Sequence, residues 1–470
     1  DFSFEQKRYL EGFMPGLKSS PNLRKSEAAP PPSGPDAPHI EAQNRVTSTG
    51  GKLVDQEKWK RDEHPLDAYA RFRTQAKTGT YPKPDDNFRW RYHGLFYVAP
   101  AQNSYMCRMR IPNGILNAWQ FEGVADIAER LGGGYAHVTT RANLQIREIK
   151  AENAPDLLEE LVALGITSKG SGADNIRNVT GSATAGIDPQ ELLDTRPHAN
   201  RWHHHILNDR VLYGLPRKFN VSFDGGGQIA TLEETNDIGF QAVEVMEGAP
   251  IAPGIYYRLA LGGITGHKDL ARDTGVILTP EDATPIADAI IRVFIAHGDR
   301  TNRAKSRLKY VLDAWGFAKF IDEIEKQLGR DLTKFDASFI KTRPQINRLA
   351  HIGEHRQKQA GLNWLGVWTP LGKITASEMR AIAKISRQFG DGDIRLTVWQ
   401  NLILSGIADD QLAGANKALA AAGLRCNVSH IRAGLVACTG SKGCKFAASD
   451  TKGHALQIAD HMDAKMEMDA

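Results

Sequence analysis

An internal repeat constrains the fold of this chain more strongly than any other feature of its sequence. Residues 113–146, NGILNAWQFEGVADIAERLGGGYAHVTTRANLQI, align without a gap with residues 371–404, LGKITASEMRAIAKISRQFGDGDIRLTVWQNLIL. The matched positions include the pairs Gly114 and Gly372, Gly132 and Gly390, and Thr139 and Thr397. Because internal repeats dictate architecture, we predict an α+β fold of two related half-domains about a pseudo-twofold axis, each read as strand, helix, strand, helix.

A glycine-rich loop extends the repeat and differs between its two copies. Residues 180–182 and residues 439–441 both read Thr-Gly-Ser after a slip of one position. The second copy, ACTGSKGCKF, carries Cys438 and Cys444, whereas the first copy, VTGSATAG, has no cysteine. Because a protein-bound cluster usually takes four thiolates, these two thiols predict half of a metal or cluster site.

The remaining composition narrows the setting of the protein. Cys107 and Cys426 are predicted to be core cysteines. The four cysteines, at positions 107, 426, 438 and 444, make no disulfide framework, which predicts a reducing cytoplasm. No run approaches the ~18 apolar residues that a membrane span needs. The net charge of +4 is no nucleic-acid signature. We therefore expect a cytoplasmic protein without a membrane or nucleic-acid partner.

Three predicted strands each carry a polar row opposite an apolar row, because alternate strand residues share a face. The polar rows are Arg108 and Arg110 in NSYMCRMRIP, Arg141, Asn143, Gln145 and Arg147 in TTRANLQIR, and Lys218, Asn220 and Ser222 in LPRKFNVSF. A solvated sheet face is the simpler interpretation of any one row, yet none of the rows holds an Asp or Glu. Since guanidinium groups bind carboxylate and phosphate bidentately, the rows predict a site for an anionic ligand.

The second repeat assigns this anion site mainly to the first half of the chain. Its residues at the positions of the TTRANLQIR row are Trp399, Asn401, Ile403 and Ser405. The cations therefore belong to the first half and the paired thiols to the second. An anionic cofactor held between the halves would use both.

Further basic residues lie near these rows in sequence. Arg177 precedes the first Thr-Gly-Ser turn, and DRTNRAKSRLKYVLDAWG, residues 299–316, is predicted to align Arg300, Arg303 and Arg307 along one helical stripe. A solvated helix face stays an equal alternative for this segment. The three consecutive histidines at 203–205 predict no metal site, because neighbouring residues of a helix or strand cannot converge on one ion.

Seven of these stretches together resemble the ferredoxin-dependent nitrite and sulfite reductases, which bind sirohaem and a [4Fe–4S] cluster. In family order between about residues 88 and 452, they are MCRMRIPNG, VTTRANLQIR, SGADNIRNVTGSATAGIDPQELLDTRP, LPRKFNVSF, RAKSRLKYVLDAWG, RLTVWQNLILSGI and ACTGSKGCKFAASDTK. The resemblance implies ferredoxin-like half-domains joined to sirohaem-binding α+β domains. It also implies reduced ferredoxin as the electron donor, and a monomer is the expected state because the two halves already pair with each other.

The resemblance assigns roles residue by residue. Arg108, Arg177, Lys218 and Asn220 would act on the substrate oxyanion, and Cys438 and Cys444 would ligate the cluster. The residues implied to hold the sirohaem carboxylates are Arg110, Thr139, Thr140, Arg141, Asn143, Gln145, Arg147, Arg217, Arg303, Lys305 and Arg307.

The substrate is expected to be nitrite, reduced with six electrons to ammonia. Sulfite-type members resemble Lys-x-Lys in the strand where this chain has Lys218-Phe219-Asn220, and one cation fewer suits the singly charged nitrite. Sulfite reduction to sulfide stays an alternative within the family, as does precorrin-3B synthase more distantly. A non-catalytic tetrapyrrole-binding remnant is the alternative from another class.

The sequence departs from the family pattern at the cluster ligands. Cys438 and Cys444 match the C-x5-C pair, but the later C-x3-C pair is expected just past Ala470. A truncated record of a working enzyme, a contribution from another chain, and loss of activity all stay open. The predicted divisions are an arm and linker (1–87), a half-domain (88–168), a sirohaem-binding domain (169–345), a second half-domain (346–428) and the start of a truncated second sirohaem/[4Fe–4S] domain (429–470).

Overall fold

The computed structural model describes residues 31–465. The α-helices are α1 (Ala37–Ser48), α2 (Asp55–Asp62), α3 (Tyr69–Ala76), α4 (Pro84–Trp90), α5 (Ala118–Leu131), α6 (Ala154–Ala163), α7 (Arg196–Asn208), α8 (Ala283–His297), α9 (Leu308–Leu328), α10 (Ala376–Phe389), α11 (Leu412–Ala421), α12 (His430–Ala433) and α13 (Thr451–Lys465). Within residues 31–465, no helix has the length and apolar character needed to cross a membrane.

Within residues 31–465, the β-strands form three five-stranded sheets. They are β1 (Leu95–Val98), β2 (Ser104–Arg108), β3 (Ile115–Asn117), β4 (Tyr135–Val138), β5 (Leu144–Ile149), β6 (Ile176–Gly181), β7 (Phe219–Asp224), β8 (Ile238–Val245), β9 (Gly254–Leu261), β10 (Arg272–Leu278), β11 (Gly353–Arg356), β12 (Leu362–Val367), β13 (Lys373–Thr375), β14 (Asp393–Leu396) and β15 (Leu402–Ala408). The sheet orders are β1-β2-β5-β4-β13, β10-β9-β8-β7-β6 and β11-β12-β15-β14-β3.

The structure confirms the repeat and lengthens it. Strands β1 to β5 and helices α5 and α6 recur 258 positions later as β11 to β15, α10 and α11. The predicted order of strand, helix, strand, helix gave one strand before the first helix, where each copy has three, and one strand between the helices, where each copy has two. Even the backbone repeats, since Asn113 and its counterpart Leu371 both adopt positive φ, 58° and 52°.

Each repeat sheet is completed by a strand from the other half. Strand β13 pairs antiparallel with β4, and β3 pairs antiparallel with β14. Helices α5 and α10 follow these exchanged strands, and each begins with a capping box, Asn117 with Gln120 and Thr375 with Glu378. Such reciprocal caps satisfy the free N–H groups of a first helical turn, so the exchanged strand leads directly into its helix.

The two repeat helices pack against each other across the pseudo-twofold axis. Apolar residues from both helices share one core with the repeat sheets. Ion pairs border this contact, because Arg380 bonds Glu129 and Arg387 lies 2.8 Å from Glu122. The pairs are themselves related by the repeat, since Arg380 corresponds to Glu122 and Arg387 to Glu129.

The middle sheet is mixed and supports the loops of the first half. Strands β6, β7 and β8 run parallel, and β9 and β10 continue the sheet antiparallel. Helices α8 and α9 cover it, with Phe294 of α8 and Phe219 of β7 in one core. The parallel strands begin beside the candidate site described below.

The predicted N-terminal arm is packed onto the rest of the protein from residue 37 onward. Phe72 on α3 is 1% exposed and joins the first core, which confirms a helix after Pro65. The prediction of an arm was wrong for helices α1 to α3 because each buries a side chain against the rest of the protein, as His39, Lys60 and Phe72 do. Residues 26–30 of the predicted proline-rich linker lie outside the described residues.

Candidate functional site

A row of polar side chains crosses the first repeat sheet in register. Arg108 on β2 pairs with Gln145 on β5, and Gln145 pairs with His137 on β4. His137 in turn pairs with Lys373, which the second repeat supplies on β13. The apolar residues predicted to lie opposite this row, among them Cys107, are buried in the core on the other face of the sheet. Strand β13 therefore extends the predicted polar row with Lys373. The alternation of residues within a single strand could not reveal this addition, because Lys373 comes from the other half of the protein.

A cation-rich cavity of about 250 Å³ lies beside this row. Its polar lining includes Arg141, Arg217, Lys218, Asn220, His267, Arg303 and Arg307. The Oδ1 atom of Asn220 is buried and accepts no hydrogen bond within the described part of the chain. This cavity thus gathers residues from two of the three predicted polar rows, together with the 299–316 segment.

The positive charges of Arg108, Arg177 and Lys218, of which Lys218 lines the cavity, disfavour one another. Burial, followed by the charges of Arg141 and Arg147, lowers the pKa of Arg108 to about 10. Burial, followed by the charge of Arg108, lowers the pKa of Arg177 well below its ordinary value. Burial and the charge of Arg177 lower the pKa of Lys218 to about 7, although its ammonium is open to the cavity. A negatively charged ligand is the group that such a cluster would stabilise.

Two buried carboxylates, Asp174 and Asp237, stand behind the cavity wall. Asp174 accepts two hydrogen bonds from Arg303, at 2.6 and 2.8 Å. Asp237 binds Arg307 through both oxygens, at 3.1 and 2.7 Å, and also accepts the backbone N–H of Asn220. Carboxylates from other segments therefore neutralise Arg303 and Arg307, the two arginines of the 299–316 segment that line the cavity.

The predicted helical stripe at 299–316 was also wrong for its first part. Helix α9 begins at Leu308, and residues 299–307 form a loop of turns stabilised by Asp299 and Asn302 side chains. Such side chains compete with helix formation by bonding nearby backbone N–H groups. The loop directs Arg300 toward Glu57 in the N-terminal helices, and Lys305 is exposed to solvent.

The N-terminal helices reach the cavity wall through a buried lysine. Lys60 donates to the carbonyl oxygens of Gly214 and Leu215, and its Nζ lies 3.5 Å from an Asp174 oxygen. Arg217, on the same loop, lies 4.0 Å from the other Asp174 oxygen. Sequence reasoning missed Lys60, Asp174 and Asp237, although Asp174 stands inside the motif SGADNIRN.

Several predicted ligands serve other contacts. Arg110 is 2% exposed, donates to the Ile176 carbonyl and lies close to Tyr213. Thr139 and Asn143 bond each other across a turn, which the second repeat reproduces with its own Thr and Asn. Thr140 is exposed.

A second cavity of about 540 Å³ lies at the other end of the polar row. It is lined by His137, Arg147, Lys373, Thr439, Gly443 and Lys452, among others. Burial, then Lys452 and Arg147, lower the pKa of His137 to about 2, so this imidazole is neutral. The cysteine loop therefore lies against the polar face of the first repeat sheet.

The two loop thiols are accessible, unlike the core cysteines. Cys438 is exposed and Cys444 half-buried, whereas Cys107 and Cys426 are buried, as predicted. Thr451, the first residue of α13, lies 3.4 Å from the Cys438 sulfur, and this hydrogen bond lowers the pKa of the thiol. A lowered pKa favours the thiolate, which is the form that binds metals.

Comparison with known proteins places this arrangement among redox enzymes. The family model for the nitrite and sulphite reductase 4Fe-4S domain matches residues 172–332. The model for the nitrite/sulfite reductase ferredoxin-like half domain matches twice, at residues 99–164 and 355–422. The double match falls on the two copies of the repeat.

Individual relatives agree with the family models. A ferredoxin–nitrite reductase of Leptolyngbya laminosa is 34% identical over 411 residues, covering 86% of this chain and 78% of the relative. A chloroplastic ferredoxin–nitrite reductase of Zea mays is 31% identical over 473 residues, covering 94% and 82%. The solved structure of the Mycobacterium tuberculosis NirA protein matches with a TM-score of 0.81 at 27% identity, covering 89% of this chain and 78% of that one.

Proposed function

The chain belongs to the nitrite and sulfite reductase family of oxidoreductases, and from this we propose that it reduces nitrite to ammonia with six electrons from ferredoxin. The proposal includes sirohaem coupled to a [4Fe–4S] cluster as the prosthetic groups. The observation that carries it is the juxtaposition of a cation-rich cavity and a thiol loop along one polar row. We further propose a monomeric protein in the cytoplasm.

The residues present fit a polycarboxylate cofactor. Arg141 and Arg217 line the cavity, and only one of them, Arg141, has a close side-chain partner in the described structure, the neutral Asn236 oxygen at 2.9 Å. Arg217 lies no nearer than 4.0 Å to a carboxylate within residues 31–465. Because guanidinium groups pair most strongly with carboxylates, we assign both to the sirohaem side chains, with Gln145 beside them. Arg303 and Arg307 have weaker claims, because each is already paired with a buried aspartate.

The catalytic work of the chain follows from its uncompensated charges. Arg108 and Arg177 attract a small oxyanion and offset its charge. Lys218, with a pKa of about 7, can hold or release a proton near neutral pH, as a general acid must when N–O bonds break. Sirohaem and the cluster, when bound, supply the electron transfer.

Nitrite is the favoured substrate because of Asn220. This residue lines the cavity with an unpartnered Oδ1 and adds no charge, where a lysine would add a second cation. A singly charged anion needs less compensation than doubly charged sulfite. Sulfite reduction is the alternative, and an inactive tetrapyrrole-binding protein is the alternative outside catalysis.

Anaerobic assays with reduced methyl viologen test the proposal directly. Full-length protein should show a sirohaem absorption band that nitrite perturbs, and nitrite turnover should exceed sulfite turnover. Asn220→Lys should shift the ratio of the two toward sulfite, whereas Thr74→Lys, at an exposed position on α3, should leave it unchanged. A colourless preparation would refute the reductase function, and equal or faster sulfite turnover by the unmodified protein would refute the argument from Asn220.

A further inference from the structure

One arginine in each half of the protein contacts a glycine-rich loop. Arg147 donates to the Gly443 carbonyl at 3.2 Å and to the Thr439 hydroxyl at 3.0 Å. Arg395 donates to the carbonyls of Ala185 and Ala183 at 2.7 and 3.3 Å. Both arginines are buried, at 3% and 1% exposed. The first loop carries the paired thiols, and the second is its cysteine-free counterpart.

The two arginines occupy exchanged positions of the repeat. Arg147 on β5 corresponds to Ser405, and Arg395 on β14 corresponds to His137. Each arginine donates from Nε to the residue at the other position, Arg147 to His137 at 3.2 Å and Arg395 to Ser405 at 2.9 Å. The arginine therefore stands on β5 in the first half and on β14 in the second. Both halves keep its Nε hydrogen bond to the neighbouring strand and its contact with the glycine-rich loop.

Every donor of the Arg147 guanidinium is occupied. Arginine has five N–H donors and no acceptor. Besides His137, Thr439 and Gly443, the acceptors of Arg147 are the side-chain oxygens of Gln102 at 3.3 Å and Gln145 at 3.2 Å. All five partners are neutral. No donor of Arg147 is left for a cofactor carboxylate while the loop stays in this place.

The loop is shaped around the guanidinium. A Cβ atom at Gly443 would stand 2.6 Å from Arg147 Nη1 and 2.6 Å from the Thr439 methyl group. Contacts this short do not occur in folded proteins, so a larger residue at 443 would displace the arginine. Glycine is needed here to let a charged group approach the backbone closely.

We infer that Arg147 is a positioning residue that fixes the Cys438–Cys444 loop, and that Arg395 fixes the equivalent cysteine-free loop in the other half. Arg147 thus acts through the loop on the thiols instead of binding a sirohaem carboxylate. This inference rests on the proposed function only in assigning the thiols to the cluster. The contacts themselves hold for the cofactor-free protein.

Hydrogen exchange in paired variants tests the inference on the cofactor-free full-length protein. Arg147→Met should raise the exchange rate of peptides spanning 437–446 by at least tenfold, and leave those spanning 181–188 unchanged. Arg395→Met should do the reverse, which makes each variant the control for the other. Arg147→Lys should restore part of the protection, because an ammonium keeps up to three donors.

Thiol labelling gives a second readout. A disulfide reagent should modify Cys444 faster in Arg147→Met than in the unmodified protein, whereas the buried Cys107 should stay unreactive in both. Acceleration at Cys444 with no change at Cys107 identifies release of the loop. Gly443→Ala should give the same result from the loop side if Arg147→Met fails to fold.

Two outcomes separate this inference from the proposed function. If neither Arg147→Met nor Gly443→Ala changes exchange or labelling in the 437–446 loop, the positioning role of Arg147 is refuted, whatever the enzyme does. If the loop responds but the unmodified protein holds no iron and reduces no nitrite, the positioning role stands and the proposed function fails. In an iron-loaded enzyme, Arg147→Met should also change the EPR spectrum of the reduced cluster.

Discussion

Replacing Asp174 with asparagine should destabilise the protein strongly, because this carboxylate holds the cavity wall together. Its side chain is fully buried and lies within 4.0 Å of Arg303, Lys60 and Arg217. Breaking a buried ion pair by removing one partner costs about 3–5 kcal/mol, since the other charge is left uncompensated. At roughly 2–4 °C per kcal/mol for a domain of this size, the midpoint should fall by roughly 6–20 °C.

The control is Asp273→Asn, which removes an exposed carboxylate 3.7 Å from Arg258. Exposed pairs contribute at most about 1 kcal/mol, so its midpoint should change little. Thermal unfolding of the cofactor-free proteins, followed by intrinsic fluorescence at pH 7 and one heating rate, measures both. If Asp174→Asn shifts the midpoint no more than the control does, the buried aspartate does not hold the wall and the reasoning is wrong.

The pH dependence gives an internal check on the same variant. Burial raises the pKa of Asp174, but Lys60 and Arg303 outweigh it and hold the pKa below its ordinary value. A depressed carboxyl pKa contributes stability that is fully present above the unfolded pKa, about 3.9, and is lost as pH falls through the folded pKa. The difference between Asp174→Asn and the unmodified protein should therefore be constant above pH 5 and shrink below pH 4.

Three further predictions concern the same region. Lys218→Met should stabilise the cofactor-free protein at pH 6 but not at pH 10. A lysine with a pKa of about 7 in the folded state opposes folding while it is protonated, and this effect disappears as the pH approaches its unfolded pKa. Equal shifts of the thermal midpoint at both pH values would contradict the prediction. Lys60→Met should lower stability by about 3 kcal/mol, against less than about 1 kcal/mol for exposed Lys58→Met, and equal urea midpoints would count against the buried pair. Gly181→Ala should cost about 1–3 kcal/mol in the same assay, because its Cβ would overlap the Asn113 side-chain oxygen at 1.7 Å, and an unchanged midpoint would show that this overlap is relieved without cost.

Much of the fold was predictable from sequence because the two copies of the repeat can be checked against each other. Two copies that share glycines at turns and apolar residues on helix faces fix the position of the first helix in each copy, and the bounds of α5 and α10 differ by the offset itself. The exchange of β3 and β13 between the sheets could not be predicted. A three-residue strand has no periodicity, and its partner is chosen by the way the halves dock.

The site was predictable in its charges but not in its pairings. Strand alternation correctly placed Gln145 and Arg108 on one face. It could not show that Asp174 and Asp237 neutralise two arginines, because these contacts join segments far apart in sequence. Nor could it show that Arg147 is saturated by five neutral acceptors, since four of them come from other strands and loops.

The charges that form the ion pairs between helices α5 and α10 also disfavour pairing of either helix with a second copy of itself. The first helix carries Glu122, Asp126 and Glu129 along the contact, and the second carries Arg380 and Arg387. Two copies of α5 brought together would oppose acid with acid, and two copies of α10 would oppose base with base. A duplicated protein risks exchanging halves with a neighbouring molecule during folding, and like-charge repulsion disfavours the symmetric mispairings. The separation of charge thus favours contact between the two different halves over contact between two copies of the same half.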